Sequence, residues 1–465
     1  MSAISPSRVA IIGGGLAGLT VGHYLRHYSD GQADFVIFEQ SERPGGTIGI
    51  TCEDGFTADW GPNGFLDKEP LTLELVEQLG LTDRLVVANE KAARRFIYRG
   101  GRLHEMFAHP AKFLSSGPLS LAGRLRVPLE YFIRPRSEDT DETIHAFASR
   151  RIGKEAADYL ITPMVTGIFG GDARQLSLPA CFPMMRQMER EYGGLIKAMI
   201  QKKRQNKGKG KTVTAGPSGK LTTFQGGCYT LIERLAETLS AHLRLSTPCE
   251  QLEQSGDTFQ VHIADGPEEF DAVILAVPAH TAARLLEAQD VLAASLLRET
   301  PYCSMTVVCH GYRRDQIDHP LDGFGFLIPP GENLSILGSI WTSVIFPEQA
   351  PADSVLFRTM IGGSRNPGLA VLPEEKATEL AHQDLAELLS IQSSPCFVKV
   401  IRWEQAIPQY TLGHLQRLEQ IEQRLSQMGR LYLAGNAYTG IGMNDVVKRS
   451  HRLVTEGLLS SAGAT

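Results

Sequence analysis

Three glycines and an acid stand at a spacing that can hold a dinucleotide. In Gly13-Gly-Gly-Leu-Ala-Gly18, Gly13 permits a tight turn, Gly15 lets backbone approach a pyrophosphate, and Gly18 allows a helix to pack closely on a sheet. Gly14 completes the turn. Leu16 and Ala17 open the helix, whose free amides and dipole then face the phosphates. Glu39 follows Gly18 by 21 positions. A carboxylate there accepts hydrogen bonds from ribose hydroxyls and repels a 2′-phosphate.

The elements that must position these groups can be read around them. Arg8-Val-Ala-Ile-Ile12 is a buried strand, residues 16–27 a helix and Phe35-Val-Ile-Phe-Glu39 a second strand, which gives one βαβ unit. Further buried strands lie at Phe270-Asp-Ala-Val-Ile-Leu-Ala-Val-Pro278 and Leu431-Tyr-Leu-Ala-Gly435, so pieces of one fold sit at both ends and in the middle. The second strand runs into Gln40-Ser-Glu-Arg-Pro-Gly-Gly-Thr47. An arginine before paired glycines offers charge to the pyrophosphate side and lets a loop pass close to an extended cofactor, which favours FAD over NAD. Runs such as Met305-Thr-Val-Val-Cys-His310 and Val398-Lys-Val-Ile-Arg402 predict strands of a separate sheet.

The expected class is α/β: a discontinuous Rossmann-like FAD-binding domain, a mixed-sheet substrate domain and a helical region able to rest on a membrane. Segments 1–85, 216–280 and 426–465 supply the FAD domain, 86–215 the helical region and 281–425 the substrate domain.

Composition narrows the remaining classes. With 42% hydrophobic and 21% charged residues the chain reads as globular, and a net charge of −6 argues against nucleic acid as a partner. Seven cysteines without a CxxC pair suit reduced thiols in the cytoplasm and no metal site. Residues 1–8 do not read as a signal peptide. No run of about 18 apolar residues is present to span a bilayer. The basic run Lys202-Lys-Arg-Gln-Asn-Lys-Gly-Lys-Gly-Lys211 reads as a solvated loop or as a lure for anionic headgroups. Gln205 stands where a phosphate-binding loop needs glycine, so a nucleoside-triphosphate site is discarded. Residues 118–135 mix Leu, Val, Tyr and Phe with Arg124, Arg126 and Arg134, which reads as a helix packed on its own domain or as peripheral contact with the cytoplasmic face of a membrane.

Over nearly its full length the chain resembles the oxygen-dependent protoporphyrinogen oxidase family. The segments that carry this are Glu42-Arg-Pro-Gly-Gly-Thr47, Trp60-Gly-Pro-Asn-Gly-Phe65, Asp141-Glu-Thr-Ile-His-Ala-Phe147, Thr166-Gly-Ile-Phe-Gly-Gly171, Leu176-Ser-Leu178, Phe224-Gln-Gly-Gly227, Gly323-Phe-Gly-Phe-Leu-Ile-Pro329, Ile407-Pro-Gln-Tyr-Thr-Leu-Gly-His414 and Leu433-Ala-Gly-Asn436 with residues 440–445. The resemblance implies oxidation of protoporphyrinogen IX to protoporphyrin IX in haem biosynthesis, by three two-electron hydride transfers to FAD, with O2 as acceptor and H2O2 as product. It implies no catalytic side chain, since the redox chemistry belongs to the cofactor. FAD contacts carry over to residues 13–18, Glu39, Arg43, Gly46, Thr47, Gly61, Pro62, Asn63, Gly64, Cys249, Asn436, Ile441, Gly442 and Met443. A substrate pocket carries over to Arg95, at a propionate, and to Gly167, Phe324, Leu327 and Met360. Many eukaryotic relatives have arginine where Thr166 stands, which puts recognition of a second carboxylate by that position in doubt. A homodimer is compatible with this reading. The rivals are coproporphyrinogen III oxidation, an amine oxidase or carotenoid desaturase, and a flavin-free binding module of the GDP-dissociation-inhibitor type.

Overall fold

The computed structural model describes residues 8–107, 117–136, 140–205 and 219–459. The readings made on residues 1–7 and on 206–211 of the basic run lie outside the described residues.

In Arg8–Ile12 the side chains alternate between two cores, not between core and water. Val9 and Ile11 join a cluster with Leu19, Leu231 and Val447, while Ala10 and Ile12 join one with Phe259, Leu285 and Leu425. A strand apolar on both faces suits a parallel sheet with both sides covered. Such a sheet forms, in the order Leu243–Arg244, Asp34–Phe38, Arg8–Ile12, Ala272–Leu275 and Leu431–Leu433, with every pair parallel. The helix Leu16–Tyr28 follows the central strand, with Arg26 and His27 in its last turn complementing the helix dipole.

A second, seven-stranded sheet has the order Phe397–Pro408, Tyr302–Arg313, Ser354–Gly362, Gly338–Trp341, Gly325–Leu327, Phe96–Arg99 and Arg102–Glu105. Its pairs are antiparallel except Gly325–Leu327 against Phe96–Arg99, so the sheet is mixed. One face, with Val308, Phe326 and Ile361, packs on Ala377, Ala381 and Leu385 of the helix Glu374–Leu389. The other, with Val307, Met360 and Ile401, packs on Phe56, Ala58 and Trp60. Strand alternation thus turns odd-numbered positions of Ser354–Gly362 toward one neighbour and even-numbered positions toward the other.

The segment 86–215 is less uniformly helical than the sequence suggests. Phe96–Arg99 and Arg102–Glu105 form the edge of the substrate sheet, because Phe96, Ile97 and Tyr98 are all buried there. In the other direction, the helices Ala279–Leu286, Val291–Arg298 and His414–Gln427 lend Leu285, Leu297 and Leu425 to a core of the parallel sheet. The helical lobe proper closes on a buried charge cluster. Arg151 and Glu130, both fully buried, are paired, and Glu189 accepts from Arg151 at 3.2 Å and from Arg150 at 2.6 Å. Removing one partner from such a pair costs about 3–5 kcal/mol. The cluster anchors an edge that exposes Leu121 (65%), Leu125, Leu129 and Phe132 (74%). Among the described residues no helix is long and apolar enough to cross a membrane.

Candidate active site

The first strand delivers the glycine turn to the carboxyl end of the parallel sheet, and each glycine there meets a different constraint. Gly13 has φ +111°, and a Cβ on it would lie 2.5 Å from the Ala276 carbonyl oxygen. A Cβ on Gly18 would lie 1.9 Å from the Gly13 oxygen, so helix and turn touch through bare backbone. A Cβ on Gly15 would meet no protein atom within 4 Å, and its φ of −75° is open to any residue. The chain's own packing therefore gives no reason for glycine at 15, whereas a bound pyrophosphate would. Leu16 and Ala17 bury their side chains and present only backbone.

Glu39 is buried and already holds two turns together. One carboxylate oxygen accepts from the Gly14 N–H at 2.7 Å and the other from the Ser41 N–H at 2.9 Å. The loop after it lies along the glycine turn, with Gly45 N–H donating to the Gly14 oxygen at 2.8 Å and a Cβ on Gly46 lying 3.6 Å from Gly15 Cα. Arg43 donates to the carbonyls of Pro44, Gly46 and Ile48 and stacks 4.4 Å above the Trp60 ring. Its immediate work is to shape this loop. Thr47 is exposed, and a Cβ on Gly61 would lie 2.5 Å from its carbonyl oxygen. Cys249 lies in the segment that continues from Thr247 N–H donating to the Glu39 carbonyl at 2.8 Å. Burial pushes its thiol up to about 11, so it stays protonated.

Across the crevice, Pro62 and Gly64 flank Asn63, whose amide nitrogen is inaccessible and without an acceptor. A buried amide donor left this way costs about 1–3 kcal/mol, which a ligand acceptor would offset. The chain returns here through Leu431–Leu433 and the helix Met443–Arg452. Gly442 N–H donates to Asp445 Oδ2 at 3.2 Å, Met443 enters the main core, and Ile441 packs on the helical lobe beside Phe169. The Asn436 carbonyl accepts from the Tyr410 hydroxyl.

The candidate substrate wall comes from register. Leu327 pairs with Gly338 and Gly338 with Met360, so these three share one face, and the missing side chain at 338 lets Leu327 lean over it, its Cδ2 lying 3.1 Å from where a Cβ would stand. A Cβ on Gly167 would lie 2.7 Å from Leu327 Cδ2, which brings the helix Thr162–Phe169 against this wall. Thr166 is buried, its hydroxyl donating to the Gly171 oxygen at 3.2 Å, so it does not serve as a carboxylate ligand. Phe324 stands beside Ile340 in the same region, and the Arg95 guanidinium lies 5.0 Å from the centre of its ring. Neighbouring protein atoms hold the Arg95 pKa below its ordinary value, yet the side chain keeps an exposed surface. Arg95 pairs with no carboxylate among the described residues.

Two contributors were missed by sequence reasoning. Arg358, buried and two positions before Met360, donates to the Trp60 carbonyl at 3.2 Å and to that of Gly61, which ties the wall to the Asn63 loop. The even spacing from Met360 was the available signal. Asn444 donates to the Leu66 carbonyl at 2.8 Å while its own carbonyl oxygen is buried without a donor. It lies next to Met443 within a run already singled out.

A glycine turn at the end of a central parallel strand, an acid closing the next strand, and a C-terminal strand and helix returning to the same crevice beside a second sheet define a dinucleotide-binding oxidoreductase in two domains. The model of the flavin containing amine oxidoreductase family matches residues 16–455, and the chain belongs to that family. It is an FAD-dependent oxidoreductase. The coproporphyrinogen III oxidase of Bacillus subtilis is 28% identical, with 97% of each chain covered. The protoporphyrinogen oxidase of Bos taurus is 31% identical over 95% of this chain and 96% of its own. A crystal structure from Exiguobacterium sp. 255-15 is 26% identical and superposes with a TM-score of 0.84 over 98% of this chain and 99% of the other.

Proposed function

We propose that the chain oxidises a porphyrinogen to the porphyrin, with protoporphyrinogen IX as substrate and O2 as electron acceptor. The observation that carries the substrate class is the pairing of Arg95, free of any carboxylate among the described residues, with the apolar wall of Phe324, Leu327 and Met360. A broad apolar ring with a carboxylate at its rim needs such a surface.

Gly13, Gly14, Gly15 and the first turn of Leu16–Tyr28 would hold the FAD pyrophosphate, Glu39 the ribose, and Asn63 and residues 436–443 the flavin end. Bound FAD supplies the two-electron acceptor. The chain's residues orient the substrate: Arg95 fixes one edge, Gly167 lets its helix close on Leu327 and so sets that part of the wall, and the apolar face excludes water. Nearby arginines are engaged, Arg94 with Glu105 and Asp322 and Arg99 with Glu155. Few free cations beside the wall among the described residues favour a ring with two carboxylates over one with four.

Coproporphyrinogen III is the second reading, favoured by the full-length similarity to the Bacillus subtilis enzyme. Aerobic assay of the FAD-loaded protein on both porphyrinogens, followed by porphyrin fluorescence, separates them. Faster turnover of coproporphyrinogen would reverse the preference, and no turnover of either would end the proposal. The exposed edge of Leu121, Leu125, Leu129 and Phe132 beside Arg134 supports peripheral contact with an anionic membrane.

A further inference from the structure

The segment Ile407-Pro-Gln-Tyr-Thr-Leu-Gly-His414 has no assigned role, although it lies between both halves of the site. It begins as the strand Phe397–Pro408 leaves the substrate sheet and ends where the helix His414–Gln427 starts. Gln409, Tyr410 and His414 are all at least 95% buried, so none of them lines an open surface.

Their bonds run in two directions. Toward the helical lobe, Gln409 Nε2 donates to the Phe169 carbonyl at 2.8 Å, and the Tyr410 carbonyl accepts from Ser177 N–H at 2.8 Å. A Cβ on Gly171 would lie 2.2 Å from Gln409 Oε1, so the lobe closes tightly on this side chain. Gly413 N–H also donates to Asp141 Oδ2 at 2.9 Å, and Asp141 in turn accepts from the Ser177 hydroxyl at 2.8 Å. Toward the flavin end, the Tyr410 hydroxyl donates to the Asn436 carbonyl, and His414 Nε2 donates to the Tyr438 carbonyl at 2.8 Å. The two rings stack at 4.2 Å. Burial raises the tyrosine pKa and lowers that of the histidine, which keeps both as neutral donors.

Phe169 lies two residues beyond Gly167, and Asn436 opens the 436–443 loop. The geometry points to residues 409–414 as a positioning strap that fixes the substrate wall at Gly167 relative to the flavin-end loop, with Gln409, Tyr410 and His414 acting through backbone carbonyls and touching neither ligand. The strap rests on the reading that substrate and flavin occupy those two places. Hydrogen bonds suit this work better than apolar packing, because they fix direction as well as distance. Ile441 against the lobe is the apolar contact that shares the load.

Two substitutions cut the strap at opposite ends: Tyr410→Phe removes the flavin-side hydroxyl and keeps the ring, and Gln409→Met removes the lobe-side donors at similar length. Hydrogen–deuterium exchange on the FAD-loaded proteins would follow peptides covering 162–171 and 434–443. Either cut should speed exchange in both peptides by about 3- to 10-fold, the worth of a buried hydrogen bond. The rate of flavin reduction at saturating protoporphyrinogen should fall by a similar factor, with flavin content unchanged. Exchange that rises only beside the substituted residue overturns the strap. If Tyr410→Phe does not fold, His414→Leu cuts the same side. Should the unsubstituted protein resist reduction by both porphyrinogens, the substrate reading fails, while the exchange pattern still decides the strap.

Discussion

The candidate cofactor crevice and the candidate substrate wall are built from different material. In the crevice the working groups are mostly backbone, supplied by short stretches at 13–18, 43–47 and 61–64 that touch one another through glycine. On the wall they are side chains: Leu327 and Met360 come from two strands joined through Gly338, Arg95 from a segment more than two hundred residues earlier, and Gly167 from a helix. A site made of turns survives changes in the surrounding side chains and is destroyed by a single Cβ. A site made of register tolerates individual substitutions and loses activity by degrees.

The sharpest way to break this contrast lies within the glycine turn. Gly15→Val should give a folded protein with no bound FAD, because a Cβ there meets no protein atom within 4 Å while the branched side chain fills the space beside the helix N-terminus. Gly18→Val should fail to fold, since its Cβ would overlap the Gly13 carbonyl. Flavin absorbance and circular dichroism of the two purified variants check both. A folded Gly15→Val protein with full flavin content would remove the pyrophosphate from this turn.

On the wall, Arg95→Ala should lower kcat/KM for protoporphyrinogen by about 10- to 150-fold, from roughly 1.5–3 kcal/mol for a charge-assisted bond. Flavin content should stay normal. Lysine should restore only part of the loss, since an ammonium lacks the bidentate fork. Steady-state kinetics on the three proteins decide it, and an unchanged kcat/KM in Arg95→Ala would place the propionate elsewhere.

What the sequence made legible follows the same division. The glycine turn, Glu39 and the strands around them could be read because both the conformational demand and the chemistry fall within about thirty residues. The resemblance supplied the positions on the wall, but not how they meet. That Leu327 and Met360 share a face depends on which strands pair and in what register, which local periodicity does not encode. Arg43 shows a subtler gap: its type suggested a phosphate, yet its guanidinium is engaged by three carbonyls of its own loop and by Trp60. Arg358 escaped notice because its even spacing from Met360 tells only once the strand and its partners are known, and a cation is not expected among buried side chains.

Asp59 offers a test through pH, beneath the loop that carries Asn63. It accepts from Cys228 N–H at 3.0 Å and from Gln349 Nε2 at 3.1 Å, and burial pushes its carboxyl up to about 6 despite the opposing Arg358 charge. A raised carboxyl pKa means the folded state holds the proton more tightly, so this group's contribution to stability is lost as pH rises from the unfolded value near 3.8 through 6. Between pH 4.5 and 7 the loss should reach about 2 kcal/mol. Urea melts across that range should show Asp59→Asn with the flatter profile. Parallel profiles would mean that Asp59 titrates as an ordinary surface acid.

Glu39 should show the smallest effect, because it belongs to both plans: a side chain that works by holding backbone. Its two oxygens accept from Gly14 and Ser41 at 2.7 and 2.9 Å, and they retain lone pairs for ribose hydroxyls. Glu39→Gln keeps one acceptor oxygen and replaces the other with an amide that cannot take an N–H. One net hydrogen bond is worth about 0.5–1.5 kcal/mol, so FAD affinity should fall about 2- to 12-fold. Glu39→Ala removes both acceptors and should cost more, partly by loosening the glycine turn before any ligand binds. Titration of apoprotein with FAD, alongside melting of the same apoprotein, separates the two contributions. If Glu39→Gln lowers the apoprotein Tm and leaves the FAD Kd unchanged, Glu39 serves the turn alone and the ribose acceptor lies elsewhere. If the Kd weakens while the Tm holds, the carboxylate reaches the ligand directly, and the crevice is less purely a backbone site than the glycines make it look.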